Sequence, residues 1–289
     1  MKLCVCSSSI PEYSLEGTVQ LLKELGYSAV EWIIADLPPD KKPANYSYEN
    51  RFWTFNQSTI YEGNVESEAI RAKRLCDDAG LEMPMLSSYH GVWNTDQIER
   101  LMKVAFDIGC KNLRLLSPGF DGTNDYKGLF NEFIEQTKKI VLLGKHYGIR
   151  VNFETHMETI IPSASAAYRF ASCFDPCDLG IIYDPGNFVF EGYEDYRIGI
   201  SILNEYISHV HVKNALWKFS ASASAEEDKW SADFASLESG YANYYKILKS
   251  LKEIKYNGYL SIEDFSCQED TVAKLKNNFT FINNILNEK

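Results

Sequence analysis

Residues 1–289 read as one domain, a (β/α)8 TIM barrel. Short apolar runs alternate with amphipathic stretches along the whole chain, glycines separate most stretches from the run that follows, and eight runs have strand character. Such alternation implies a parallel sheet with helices outside it. Eight strands favour a closed barrel over an open doubly wound sheet, which would want a GxGxxG after an early strand.

The strand candidates are, in order, KLCVCSS at the start, YSAVEW after Gly26, LEMPML after Gly80, CKNLRLL after Gly109, IRVNFE after Gly148, LGIIYD from Leu179, ISHVHVKN from Ile207 and YLSIEDF after Gly258. Each glycine suits the left-handed residue just past a helix end, where a Cβ is disfavoured. Between them, Leu15, Val19 and Leu22 share one helical face, and Ile98, Leu101, Met102 and Ala105 another. A longer helix is expected over Leu129–Leu143, with Phe130, Phe133, Ile134 and Val141, and Asn94 with Gln97 could cap a helix start. Two segments break the rhythm: residues 37–63, and residues 215–240 with the run SASASAEED. Both lie on the strand-exit side, which in a barrel carries the active site.

Composition narrows the function. The chain is 45% hydrophobic, enough for a large core, and its formal net charge is −11. That balance excludes a nucleic-acid-binding surface, which needs a basic footprint, and adhesion to anionic membranes. Seven scattered cysteines form no disulfide framework or zinc motif and fit free thiols in a reducing compartment. The opening MKLCVCSSSIPEY makes a poor signal peptide, and no run is long enough to span a membrane. A soluble cytoplasmic protein is the expectation.

Strand periodicity then locates chemistry. Side chains alternate along a strand, so Asn152, Glu154 and His156 share the axial face while Val151, Phe153 and Thr155 face the helices. His209, His211 and Lys213 point inward in the seventh strand, and Ser261 and Glu263 in the eighth. Asp184 sits where the sixth ends, before Pro185 and Gly186. Inward polar groups are costly unless satisfied, and three converging carboxylates repel without a cation. Glu154, Asp184, His211 and Glu263 are therefore the candidate metal ligands. Oxygen-rich ligation with one imidazole suits Mn²⁺, Mg²⁺ or Co²⁺, with Zn²⁺ less favoured.

Four motifs carry a resemblance: NFETH at 152–156, YDPGN at 183–187, HVHVKN at 209–214 and SIEDF at 261–265, with GYSAVEW and its Glu31 earlier. Together they resemble the xylose-isomerase-like barrel superfamily of sugar isomerases, ketose 3-epimerases, inosose dehydratases and endonuclease four. The resemblance spans the chain and matches the same four residues to the metal ligands. It also implies that Glu154 and Glu263 are the acid/base pair. In ketose 3-epimerases a glutamate, a histidine and an arginine stand where this chain has Ile160, Asn187 and Trp217, so that subgroup is not assigned. Too few histidines for a trinuclear zinc cluster speak against endonuclease four.

The expected activity is a divalent-metal-dependent isomerase or epimerase acting on a small sugar or polyol through an enediolate. The alternatives are a lyase or dehydratase of the same fold, with His156 as an acid, and a non-catalytic barrel that binds a sugar or a partner protein. His156 is a catalytic candidate or a ligand-orienting residue, and His209 is expected behind His211. Lys213 is a candidate substrate contact or a rim ion pair. Arg114 is expected to pair with a ligand carboxylate, and Glu31 to be hydrogen bonded inside the barrel. Asn187 and Trp217 stand as substrate contacts, with Trp53 of the first insertion and Trp93 as pocket-wall candidates. The other insertion aromatics, Tyr46, Tyr48, Phe52 and Phe55, would close over the site or pack a local core above it. A homodimer is a further expectation.

Overall fold

The structure, a computed structural model, describes residues 1–36, 42–123, 125–192, 194–222 and 228–288. Its strands are β1 (Lys2–Cys6), β2 (Ala29–Ala35), β3 (Ile60–Tyr61), β4 (Leu86–Gly91), β5 (Asn112–Leu116), β6 (Arg150–Glu154), β7 (Leu179–Tyr183), β8 (Ile207–Val212), β9 (Asn214–Phe219), β10 (Trp230–Ala235) and β11 (Tyr259–Ile262). The large sheet runs β1-β11-β8-β7-β6-β5-β4-β2-β3, and β1 also pairs with β2, so eight parallel strands close into the expected barrel. The two-residue β3 only extends the exit end of β2, where Ile34 pairs with Ile60.

Helix faces follow the apolar periodicity. Leu15–Leu25 buries Leu15, Val19 and Leu22, and Thr95–Asp107 buries Ile98, Leu101, Met102 and Ala105. The long helix is Tyr126–Tyr147, longer than expected, and buries Phe133, Ile140 and Val141. Gly26, Gly80, Gly109 and Gly148 hold left-handed φ values of 85°, 75°, 73° and 66°. Gly258 does not; Lys255 takes that turn with φ 59°. At Gly258 a Cβ would crowd the Tyr256 ring, whose Oη donates to Tyr259 O at 2.8 Å, so space rather than φ favours glycine there.

Two local expectations are corrected. LEMPML is not the third barrel strand: an isolated bridge pairs Ala29 with Glu82, Pro84 brings no N–H to the ladder, and the regular strand starts at Leu86. Asn94 stands at the N-cap of its helix without a capping bond, because its side chain turns to His90 Nδ1 at 3.1 Å. Within the second insertion, β9 and β10 form an antiparallel hairpin; its residues 223–227 lie outside the described residues. So do residues 37–41 of the first insertion. The remainder of that insertion includes a short helix, Arg51–Thr54, seated on the barrel mouth by Phe52, 5.1 Å from the Phe265 ring. Among the described residues no helix is long and apolar enough to cross a membrane.

Candidate metal centre

All four candidate ligands arrive at one point because their strands neighbour one another in the barrel. Glu154 ends β6, Asp184 follows β7, His211 lies near the end of β8 and Glu263 follows β11. All are buried. One ligand atom from each can be chosen so that the four lie within 4.8 Å of one another. His211 Nδ1 is 3.1 Å from Glu154 Oε1, 3.4 Å from Glu263 Oε2 and 3.6 Å from Asp184 Oδ2.

Each ligand is aimed by a partner. Arg114, from β5, donates through Nη1 to Glu154 Oε2 at 2.9 Å, and Asn187 Nδ2 donates to Glu154 Oε1 at 3.0 Å. Asp184 caps the helix Pro185–Glu191, its Oδ1 accepting from Asn187 N at 3.0 Å, which leaves Oδ2 turned to the centre. Ser8 Oγ donates to Glu263 Oε1 at 3.2 Å. Behind His211, Glu31 accepts from its Nε2 at 3.1 Å, from His209 Nε2 at 3.0 Å, and from the hydroxyls of Ser87 and Ser261 at 2.6 and 2.7 Å. A carboxylate accepts only, so in the neutral ring it holds the His211 proton on Nε2 and leaves the Nδ1 lone pair toward the other candidate ligands.

The surrounding charges set the ionisation of each group. Burial opposes ionisation of Glu154, but His211, Lys213 and Arg114 outweigh it and hold the carboxyl well below its usual range. Glu31 is likewise depressed, with His211 and His209 overcoming burial. His211 is pushed well above the ordinary histidine value, because Glu31, Glu263 and Glu154 overcome the cost of burying the charged ring.

The donor set fits a divalent cation. Asp184 Oδ2 and Glu263 Oε2 are buried, and Lys213 Nζ stands 2.8 and 2.6 Å from them in ion pairs. These two carboxylate oxygens, a third carboxylate and the nearby imidazole nitrogen form a site for a non-directional, hard to borderline ion.

A cavity of about 490 Å³ opens beside this cluster. Glu154, His156 and Lys213 form its polar end, and Trp53, Tyr89, Leu115, Met157, Phe234 and Phe265 its walls. A groove of about 810 Å³ beside Thr271–Asn287 is larger but touches none of the ligands, so the smaller cavity is the one with chemistry. Trp53 is 4.9 Å from the Phe265 ring and 5.9 Å from that of Phe234, so three separate exit segments build one aromatic wall.

Other sequence candidates fall in different places. His156 lines the cavity with Nδ1 donating to Met157 O at 2.8 Å, leaving Nε2 as the available nitrogen. Lys213 is buried rather than at the rim. Asn187 bridges Glu154 and Lys213, with Lys213 Nζ donating to its Oδ1 at 3.1 Å. Trp217 and Trp93 are not brought to this cavity. Trp217 Nε1 donates to Val189 O at 2.7 Å, while Trp93 stacks on Phe133 and donates to Glu132 at 3.1 Å. Sequence reasoning missed Ser8, Tyr89, Met157, Phe234 and Phe265. Phe265 carried the one available signal, two residues past Glu263 on the same exit.

Comparisons with known proteins agree with the geometry. The family described as Xylose isomerase-like TIM barrel matches residues 19–284. No curated protein matches the sequence. Among solved structures, the probable 3-DHS dehydratase AsbF from Bacillus anthracis superposes with a TM-score of 0.72 at 18% identity, covering 98% of this chain and 99% of that one. The 3-keto-D-glucoside 4-epimerase YcjR from E. coli gives 0.70 at 14% identity, covering 98% and 99%. The IOLI protein, solved with a zinc atom, gives 0.70 at 15% identity over 100% of both chains. At these identities the superpositions establish the fold, and the family match assigns the sequence: the chain belongs to the xylose isomerase-like TIM barrel family.

Proposed function

We propose that the chain is a divalent-metal-dependent isomerase or epimerase acting on a small sugar or sugar-like polyol. The observation that carries this reading is the buried ring of Glu154, Asp184, His211 and Glu263 beside a cavity with a polar end. A bound cation would supply Lewis acidity to neighbouring substrate oxygens; Mn²⁺ is the expected ion. The protein's own groups do the rest. Glu154, ionised and held by Arg114 and Asn187, removes a proton from the carbon beside the carbonyl. Glu263, anchored by Ser8, returns it to another carbon or to the other face. The aromatic wall of Trp53, Phe234 and Phe265 stacks on the sugar's C–H surface and excludes water. With its cysteines as free thiols, the chain suits the cytoplasm.

One observation favours a second reading. His156 faces the cavity with Nε2 available, so its protonated ring has the geometry to protonate a leaving oxygen, as a dehydratase or other lyase requires. Incubating the Mn²⁺-loaded protein in deuterated water with ketoses, inositols and keto-glycosides separates the two. A deuterated isomer supports the first and an unsaturated or shortened product the second. Glu154→Gln is expected to remove turnover while the fold stays intact; an unchanged rate would place the base elsewhere.

A further inference from the structure

Lys213 has a fixed backbone and a head held among acidic groups. Tyr244 Oη donates to Lys213 O at 2.6 Å, and a Cβ on Gly186 would stand 2.7 Å from that same carbonyl, so the strand exit is clamped on two sides. The ammonium is 2.6 Å from Glu263 Oε2, 2.8 Å from Asp184 Oδ2 and 3.6 Å from Glu154 Oε1, within reach of three of the four candidate ligands. Its hydrogen bond to Asn187 Oδ1, at 3.1 Å, is longer than either of the two ion pairs to Asp184 and Glu263, so opposite charge is what chiefly holds the ammonium. Lysine's ammonium is a compact charge on a flexible stem, held here by charge more than by direction. A divalent cation bonded to the same oxygens would face that charge at close range in a buried site, where repulsion is weakly screened.

We propose that Lys213 is the internal counter-ion of the metal centre, and that it and a divalent cation compete for Asp184 and Glu263. The proposal rests on the metal-centre reading above. Metal entry swings the ammonium off the carboxylates and into the adjoining cavity. Lys213 already lines that cavity, with Nζ 5.4 Å from the Phe265 ring centroid. Without the cation, the lysine keeps the carboxylates from repelling one another and holds the ligand set together. With it, the same ammonium becomes a positioning group facing substrate. Affinity for metal is therefore set below what the four ligands alone would provide.

The test is Mn²⁺ titration calorimetry on the wild type, Lys213→Met and Lys213→Arg, with circular dichroism to check the fold. Lys213→Met is expected to bind Mn²⁺ at least tenfold more tightly and to gain more in melting temperature on loading. Lys213→Arg, which keeps the charge, is expected not to tighten. A folded Lys213→Met with equal or weaker affinity overturns the proposal while leaving the metal centre standing; no binding by any of the three overturns both. Acylation of wild-type lysines by acetic anhydride, read by mass spectrometry, does not depend on a variant folding. Mn²⁺ is expected to raise the Lys213 rate several-fold as the side chain leaves its ion pairs, and an unchanged or slower rate overturns the exchange.

Discussion

Glu31→Gln isolates how the protein aims the imidazole of His211. Glu31 is fully buried and accepts from Ser87, Ser261, His209 and His211. As an acceptor-only group it fixes the proton of the neutral His211 ring on Nε2, so that Nδ1, which faces Glu154, Asp184 and Glu263, is the nitrogen that can ligate. A glutamine offers one oxygen and one NH₂. The serine hydroxyls can rotate to suit it, but two imidazoles cannot both donate to the remaining oxygen with good geometry. Where the amide NH₂ meets His211 Nε2, the ring proton moves to Nδ1 and blocks metal ligation. Loss of such a supporting partner weakens metal binding about 10–100-fold, or about 1.4–2.7 kcal/mol. Calorimetric titration with Mn²⁺ and Co²⁺ reads that change directly, and circular dichroism checks that the barrel is intact. A folded variant whose Kd stays within twofold of wild type would show that His211 keeps its tautomer without the carboxylate.

Further outcomes follow from other residues. Asp184→Ala removes a candidate ligand and the cap of Pro185–Glu191, so it is expected to lose about 1 kcal/mol of cap stability. It should also lose most of the roughly 2.7 kcal/mol that metal at 100 times Kd adds to the wild type; unaltered metal content by mass spectrometry would contradict the ligand role. Hydrogen bonding from Arg197 holds the Asp195 carboxyl at about 2. Because the folded value is depressed, its contribution to capping Tyr196–Leu203 is present above the ordinary aspartate range and lost as pH falls through about 2. A carboxyl-carbon NMR midpoint near 4 would refute it. Burial raises the thiols of Cys76 and Cys110 to about 11, while Cys173 and Cys177 are exposed. A disulfide reagent at pH 8 should label the exposed pair in the native protein and reach Cys76 and Cys110 only on unfolding; rapid labelling of either in the native state would count against the packing.

What the amino-acid sequence determined by itself is whatever repeats locally. Alternation with period two placed Glu154, His211 and Glu263 on the axial face, and helical periodicity named the buried faces of Leu15–Leu25 and Thr95–Asp107. Those patterns depend only on backbone geometry, and eight of them in series lead to closure. Local chemistry already blurred the picture at Pro84, where a missing N–H moved a strand along the chain.

Tertiary structure decided the rest, because it sets distances between residues far apart in the chain. Glu31 meets His211 across 180 positions, and no periodicity in either segment announces the pair. Trp93 and Trp217 carry the same composition signal as Trp53, yet they turn to Glu132 and Val189 while Trp53 joins Phe234 and Phe265. Loops have no repeat from which a facing direction can be inferred. Alternation put Lys213 on the inner face; barrel closure brought its ammonium between Asp184 and Glu263.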